Sequence, residues 1–343
     1  MTPLLLFLRH APRRGRGGFA FLRSCGALSR LMLLGLFLFW AAPACADGGL
    51  AGEEAAPPEA LPADPLDMEC LNEPPPPSPR WRFKGLPPWE ALEEGLQLGL
   101  FPAEFEGGNA FEVVILRIDP VLYDFTVETA SAEGVSLSLG EWARRKDLVA
   151  AINASMYLPD GVTSTGYLRA GDVINNGRIA SLFGAFFVAG PDSGDLPGAD
   201  LLDRSTDEWE ARLGRYRYVV QNYRMISADR RLLWKPGGPQ HAISAVARDG
   251  RGAILFILCR EPLTGVDFGK LLLDLPLDVR VVMYTEGGSQ AGLLVHTPVR
   301  RQLWMGRSLP DFLSGGHQGA PLPNVIGVRR KPGPEAAFPP PQE

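Results

Sequence analysis

The chain has 343 residues, with 34 basic against 39 acidic side chains and a net charge of −5. Residues 1–46 hold six arginines and no acid, so a chain beginning at Asp47 keeps 28 basic against 39 acidic residues, a charge of −11. Such a surface repels phosphate backbones at long range, which argues against nucleic acid as a partner.

The first element is a targeting signal. Arginines at 9, 13, 14, 16, 23 and 30 lead into the apolar run 31–40, and Ala41-Ala42-Pro43-Ala44-Cys45-Ala46 follows. A charged start, an apolar centre and a small-residue exit make a secretory signal, with cleavage expected after Ala46. The run is short of the roughly 20 apolar residues of a membrane span, so no stable span is expected after cleavage. The product is then exported, to the periplasm or outside the cell. Residues 47–80 hold nine prolines and many acids. They lack the large apolar side chains of a core and read as an extended spacer. Residues 81–330 suit one domain, and 331–343, with five prolines, a disordered tail. Cys25 and Cys45 leave with the signal. Cys70 and Cys259 remain, and both a disulfide and a buried free Cys259 stay open.

Within the domain, Tyr123, Phe125 and Val127 alternate with Asp124, Thr126 and Glu128, a strand with one wet face. The runs 113–118, 149–152, 243–246, 253–258 and 279–284 are apolar on both faces and read as central strands. Ser138-Leu139-Gly140-Glu141 is a capping box opening a helix over 141–148. Thr206 is the expected cap of a helix over 207–213. Asp267 is the expected cap of one carrying Phe268, Leu271, Leu272 and Leu275 on one face. Strands with irregularly interspersed helices predict an α+β fold, a mixed sheet in a single domain.

Three apolar strands end in polar or glycine residues, where a rigid scaffold presents working groups. The first ends Ala151-Ile152-Asn153-Ala154-Ser155-Met156-Tyr157. The second is broken by Gln221 and Asn222, just before Arg224. The third ends Tyr284-Thr285-Glu286-Gly287-Gly288-Ser289-Gln290. Here an acid precedes two glycines, whose N–H groups can face an oxyanion with no Cβ in the way. Arg169 and Arg178 lie among tight turns and are candidate phosphate contacts.

In order and spacing, these segments resemble the phosphodiester glycosidase family, over roughly residues 111–328. The matching segments are Ala151-Ile152-Asn153, Val220-Gln221-Asn222, Gln240-His241-Ala242-Ile243-Ser244 and Thr285-Glu286-Gly287-Gly288-Ser289. The resemblance implies removal of a sugar from a sugar-1-phosphodiester. It also implies roles. Glu286 is acid, base or hydroxyl anchor; Gly287, Gly288 and Ser289 are donors to phosphate or developing charge; Asn153 and Gln221, with Asn222 and Tyr157, hold the sugar. Gln240-His241 stand where the family has Arg-Thr. That moves the needed cation to Arg169 or Arg224 and leaves His241 as a neutral contact. Asn153, Gln221, His241 and Glu286 are expected to converge on one concave site.

Two other functions fit parts of the pattern. Gly287-Gly288-Ser289-Gln290-Ala291 approaches the G-x-S-x-G elbow, and Ser289, Asp311 and His317 follow in the order of a serine hydrolase. The missing family Arg fits a non-catalytic glycan-binding envelope protein on the same fold. No cofactor motif is present, and His241, His296 and His317 lack ligand spacing. A divalent cation such as Ca²⁺, which takes scattered oxygens, stays open.

Overall fold

The computed structural model describes residues 81–83, 89–105, 108, 110–306 and 319–332. All lie in the second of the two units into which the chain divides, Pro74–Glu343. The expected signal, spacer, most of the tail, Cys70, Asp311 and His317 fall outside the described residues.

Eighteen strands and four short α helices are present among the described residues. The expectation of an α+β fold with mixed sheets is therefore corrected: the domain is nearly all β, and every strand pair is antiparallel. The largest sheet runs in the order β1 (Trp81–Phe83), β3 (Leu96–Phe105), β4 (Ala110–Ile118), β14 (Ile254–Leu263), β13 (His241–Asp249), β15 (Val279–Gly287) and β12 (Arg224–Ile226), with β2 (Glu90–Glu93) beside β3. A second sheet orders β10 (Ala199–Asp203), β9 (Ala185–Pro191), β11 (Tyr216–Asn222), β7 (Leu168–Ala170) and β8 (Val173–Asn176). The third orders β17 (Arg301–Met305), β16 (Gly292–His296), β6 (Ala150–Asn153), β18 (Asn324–Arg330) and β5 (Tyr123–Thr129).

One apolar core unites the three sheets. Phe125 of the third sheet meets Phe187 of the second at 5.9 Å and Phe256 of the first at 6.1 Å. The expectation went wrong on the doubly apolar runs. A strand buried on both faces reads as the centre of a parallel sheet. Here β13 is antiparallel yet covered twice: Ala242 and Val246 face the common core, while Ile243, Ala245 and Ala247 face a second cluster. That outer cluster is closed by α4 (Gly265–Asp274), which lays Phe268, Leu271 and Leu272 on the sheet. Helices here are lids on sheet faces and not crossovers between parallel strands.

The capping box is in place. The Ser138 hydroxyl accepts from Glu141 N at 3.3 Å and Ser138 N donates to the Glu141 carboxylate at 2.9 Å, opening α2 (Leu139–Lys146). This helix seats the fully buried Trp142 on the third sheet, and the Trp142 indole donates to Leu322 O at 3.0 Å. The other two caps differ from expectation. The short α3 (Trp209–Leu213) begins at Glu208 with no side-chain cap. The cap of α4 is Thr264, whose hydroxyl accepts from Asp267 N at 3.1 Å and donates to the Asp267 carboxylate at 2.7 Å. Asp267 is thus in the first turn, where its charge also suits the helix dipole. No described helix is long and apolar enough to cross a membrane.

Candidate active site

The strands β6 and β15 bring their polar ends together. Asn153 is the last residue of β6 and is buried, 2% exposed. Its amide donates to Gln290 O at 2.7 Å and accepts from Gly292 N at 2.7 Å. It therefore pins the C-terminal end of the 3₁₀ turn Gly288–Gln290 that follows the Glu-Gly pair.

The register of β13 against β15 decides which way Glu286 faces. Ser244 pairs with Glu286 and Ala245 with Tyr284, so Thr285 is an extra residue in β15, a bulge. Residues directly opposite share a face. Tyr284 therefore goes with Ala245 to the outer cluster, and Glu286 goes with Ser244 toward β6. Thr285 Oγ1 donates to Ser244 Oγ at 2.9 Å, and Ser244 Oγ donates to Glu286 O at 3.2 Å. Asn222, from the third polar strand, donates to Thr285 O at 3.3 Å. The Tyr157 hydroxyl donates to the Gln290 side chain. Ser155 continues the network to Ser164 at 2.8 Å and Asn324 at 3.2 Å.

Glu286 is half-buried. Burial pushes its carboxyl up to about 7, against a hydrogen bond from Gly287 N at 2.9 Å that pulls the other way. A carboxyl there exchanges its proton near neutral pH, the condition for general acid or base work. Burial raises the neighbouring Tyr157 and Tyr284 phenols, and the Glu286 charge raises both further. Both phenols are therefore donors and not charges.

Both glycines of the corner are required by geometry. Gly288 has φ +69°, a left-handed conformation that side chains resist. A Cβ on Gly287 would lie 2.5 Å from the Tyr284 hydroxyl and 2.6 Å from His241 Cε1. Gly287→Ala is expected to cost about 1–3 kcal/mol of stability through this overpacking, measured by urea unfolding. An unchanged midpoint would mean that Tyr284 and His241 move aside freely.

Of the residues expected from sequence, the structure gathers Asn153, Tyr157, Asn222, Glu286, Gly287, Gly288, Ser289 and His241 around this corner. His241 sits against Gly287, with its Nδ1 2.9 Å from Ala242 O. Gln221 is directed elsewhere. Adjacent strand residues point to opposite faces, and Gln221 clamps the 180–183 segment, donating to Ala180 O at 2.8 Å and Phe183 O at 3.0 Å. The expected convergence of Asn153, Gln221, His241 and Glu286 is thus corrected for Gln221.

The two proposed cations are also directed elsewhere. Arg169 donates to the carbonyls of Leu213, at 2.6 Å, and Tyr216. Arg224 is ion-paired with the buried Asp203 and donates to Ser205 Oγ at 2.6 Å. Among the described residues, Arg260 in the second half of β14 is a cation linked to this corner. Its Nε donates to Met305 O at 2.9 Å, and Met305 pairs with Gly292 beside the turn. Sequence reasoning includes Ser244, Thr285 and Gln290 in its motifs but gives them no role, and it passes over Arg260. The signal available was a lone polar residue breaking an apolar run, as Ser244 does between Ile243 and Ala245. Ser289 lies on a turn that leads into an antiparallel strand, not on the strand-to-helix elbow that exposes a hydrolase serine. No group of three or more His, Cys, Asp or Glu is placed to hold a metal among the described residues.

Comparison with known proteins adds to the fold. No family model and no curated protein matches the sequence. Among solved structures, a hypothetical protein from Synechocystis is similar with a TM-score of 0.51 at 13% identity, covering 74% of this chain and 68% of that one. The fold is remotely shared. The catalytic domain of zebrafish N-acetylglucosamine-1-phosphodiester alpha-N-acetylglucosaminidase, auto-inhibited by its pro-peptide, aligns with a TM-score of 0.48 at 10% identity, over 74% of this chain and 89% of that one. At these identities the likeness concerns architecture and transfers no residue roles.

Proposed function

We propose that this chain is an exported hydrolase of the phosphodiester glycosidase type, releasing a sugar from a sugar-1-phosphodiester in an envelope or extracellular glycan, with Glu286 as general base. The observation that carries the reading is a carboxyl titrating near 7 at a Gly-Gly corner, braced by a buried polar network from three strands. The four sequence segments that resemble the family support it. Export rests on the charged, apolar and small-residue pattern of residues 1–46.

The role of base follows from the leaving group. When the anomeric C–O bond of such a diester breaks, the electron pair leaves on a phosphate monoester, which is stable as an anion and needs no proton. Water needs help instead. Glu286 takes a proton from water as its oxygen bonds to the anomeric carbon, through an oxocarbenium-like transition state. Ser289, half-exposed on the turn, is the hydroxyl donor for a departing phosphate oxygen.

The test is product analysis with an N-acetylglucosamine-1-phosphate methyl diester in ¹⁸O-water. Free sugar carrying the label, with unlabelled methyl phosphate, is expected. Label on phosphorus would overturn the bond assignment. Binding without product would favour the glycan-binding reading, which the Gln240-His241 replacement of Arg-Thr already favours.

A further inference from the structure

We propose that the cleft lined by Leu182, Gly184, Tyr223, Arg224, Leu233 and Trp234 is a subsite for a neutral pyranose unit, so that the ligand of the Glu286 corner is a glycan chain and not a single sugar. The link to catalysis rests on the reading above; the binding chemistry of the cleft stands on its own geometry.

The cleft has a volume of about 460 Å³, inside the range of roughly 300–1,000 Å³ for small-molecule pockets. Its rim exposes apolar groups that folding normally hides: Leu182 is 78% exposed and Leu233 36%. Tyr223 and Trp234 are half-buried and meet edge to face at 6.1 Å. The C–H face of a pyranose covers such rings, and its hydroxyls need a few fixed donors. Arg224 supplies them. Its charge is offset by the buried Asp203 carboxylate, and Ser205 fixes one end of the fork. A guanidinium in a neutral pair offers N–H groups without the field of a free cation. That favours hydroxyls over phosphate and removes Arg224 from the role of phosphate partner.

The cleft is joined to the corner by an unbroken aromatic row. Trp234 lies 5.5 Å from Tyr284, and Tyr284 lies 6.5 Å from His241, centroid to centroid. Tyr284 and His241 are the two side chains that crowd Gly287, next to Glu286. Tyr284 itself is buried, so the row is a packed wall that links the cleft to the half-buried His241 beside Gly287, and a glycan that reaches both places passes over the end of β15.

The experiment is calorimetry on the full chain with chitotetraose, cellotetraose, mannotetraose and inorganic phosphate as probes. At least one neutral tetraose is expected to bind and to shift tryptophan fluorescence, while phosphate leaves that binding unchanged. Trp234→Ala should weaken it about 10-fold, the effect of losing an aromatic anchor. Arg224→Lys keeps the pair with Asp203 but loses the fork, and should weaken it about 5-fold. Leu182→Glu alters only an exposed rim position and should also weaken binding, which keeps the test sound if Trp234→Ala fails to fold. No binding by any tetraose, or binding indifferent to Leu182→Glu and Arg224→Lys, overturns the subsite. Competition by phosphate at millimolar concentration overturns its neutral character. If Trp234-dependent binding persists while Glu286→Gln retains turnover, the catalytic reading fails and the subsite stands. If turnover requires Glu286 but Trp234→Ala changes neither KM nor affinity, the subsite alone fails.

Discussion

Glu286→Gln is expected to lower kcat at pH 8 by about 100- to 10,000-fold, the usual yield of a positioned base, while the protein stays folded. Glutamine keeps the length of the side chain and an oxygen for Gly287 N, so the corner retains its hydrogen bond. It cannot accept a proton from water. In the wild type, kcat/KM should rise as pH climbs through about 7, because burial holds the carboxyl protonated up to that point. In the variant that inflection should vanish. Stability supplies an independent check. The folded carboxyl titrates near 7 and the unfolded one near 4.5. Between these values the native state holds the extra proton, so Glu286 makes stability fall as pH rises through that window. Above about 7 the native state carries a half-buried charge costing roughly 2–4 kcal/mol. Glu286→Gln should therefore be more stable than wild type at pH 8 and equal to it at pH 4. A stability difference of the same size at both pH values would show that Glu286 is not held protonated by burial. A full-rate variant at pH 8 would remove it from the chemistry altogether.

Local grammar was legible in the chain; orientation was not. The Ser138–Glu141 box closes over four residues, so sequence alone identifies it. The strand ends at Asn153 and Glu286 were equally visible as sharp changes from apolar to polar. Which face each side chain takes depends on pairing. Gln221 and Asn222 looked alike as two amides in an apolar strand, yet strand alternation sends only Asn222 toward Thr285. The bulge at Thr285, which turns Glu286 toward β6, exists only against β13 and leaves no mark in the sequence. Arg169 and Arg224 have long side chains whose ends are set by partners 44 and 21 residues away in the chain, Leu213 and Asp203. The fold class failed for a related reason. A strand covered on both faces has the same composition in either pairing sense, and the helices that cover it are short.

Asn153 offers the second large effect, on the turn and not on the chemistry. Its amide donates to Gln290 O and accepts from Gly292 N, both at 2.7 Å. Asn153→Ala leaves two backbone groups unpaired in a buried place, at about 1–3 kcal/mol each. It also frees the turn that carries Ser289 and presents Gln290 to Tyr157. A displacement of about 1 Å there is worth about 100-fold in rate, so turnover should fall even where the protein remains folded. Asn153→Asp separates the donor from the acceptor. The carboxylate still accepts from Gly292 N but now faces Gln290 O with a lone pair. At pH 8 it should be at least as damaging as alanine. As pH falls and the aspartate gains a proton, it regains a donor, and part of the lost stability should return. Urea unfolding of the three proteins at pH 5 and pH 8 reads this directly. An Asn153→Asp protein as stable and as active as wild type at pH 8 would mean that the hydrogen bond to Gln290 does not hold the corner, and that its geometry comes from the bulge at Thr285 alone.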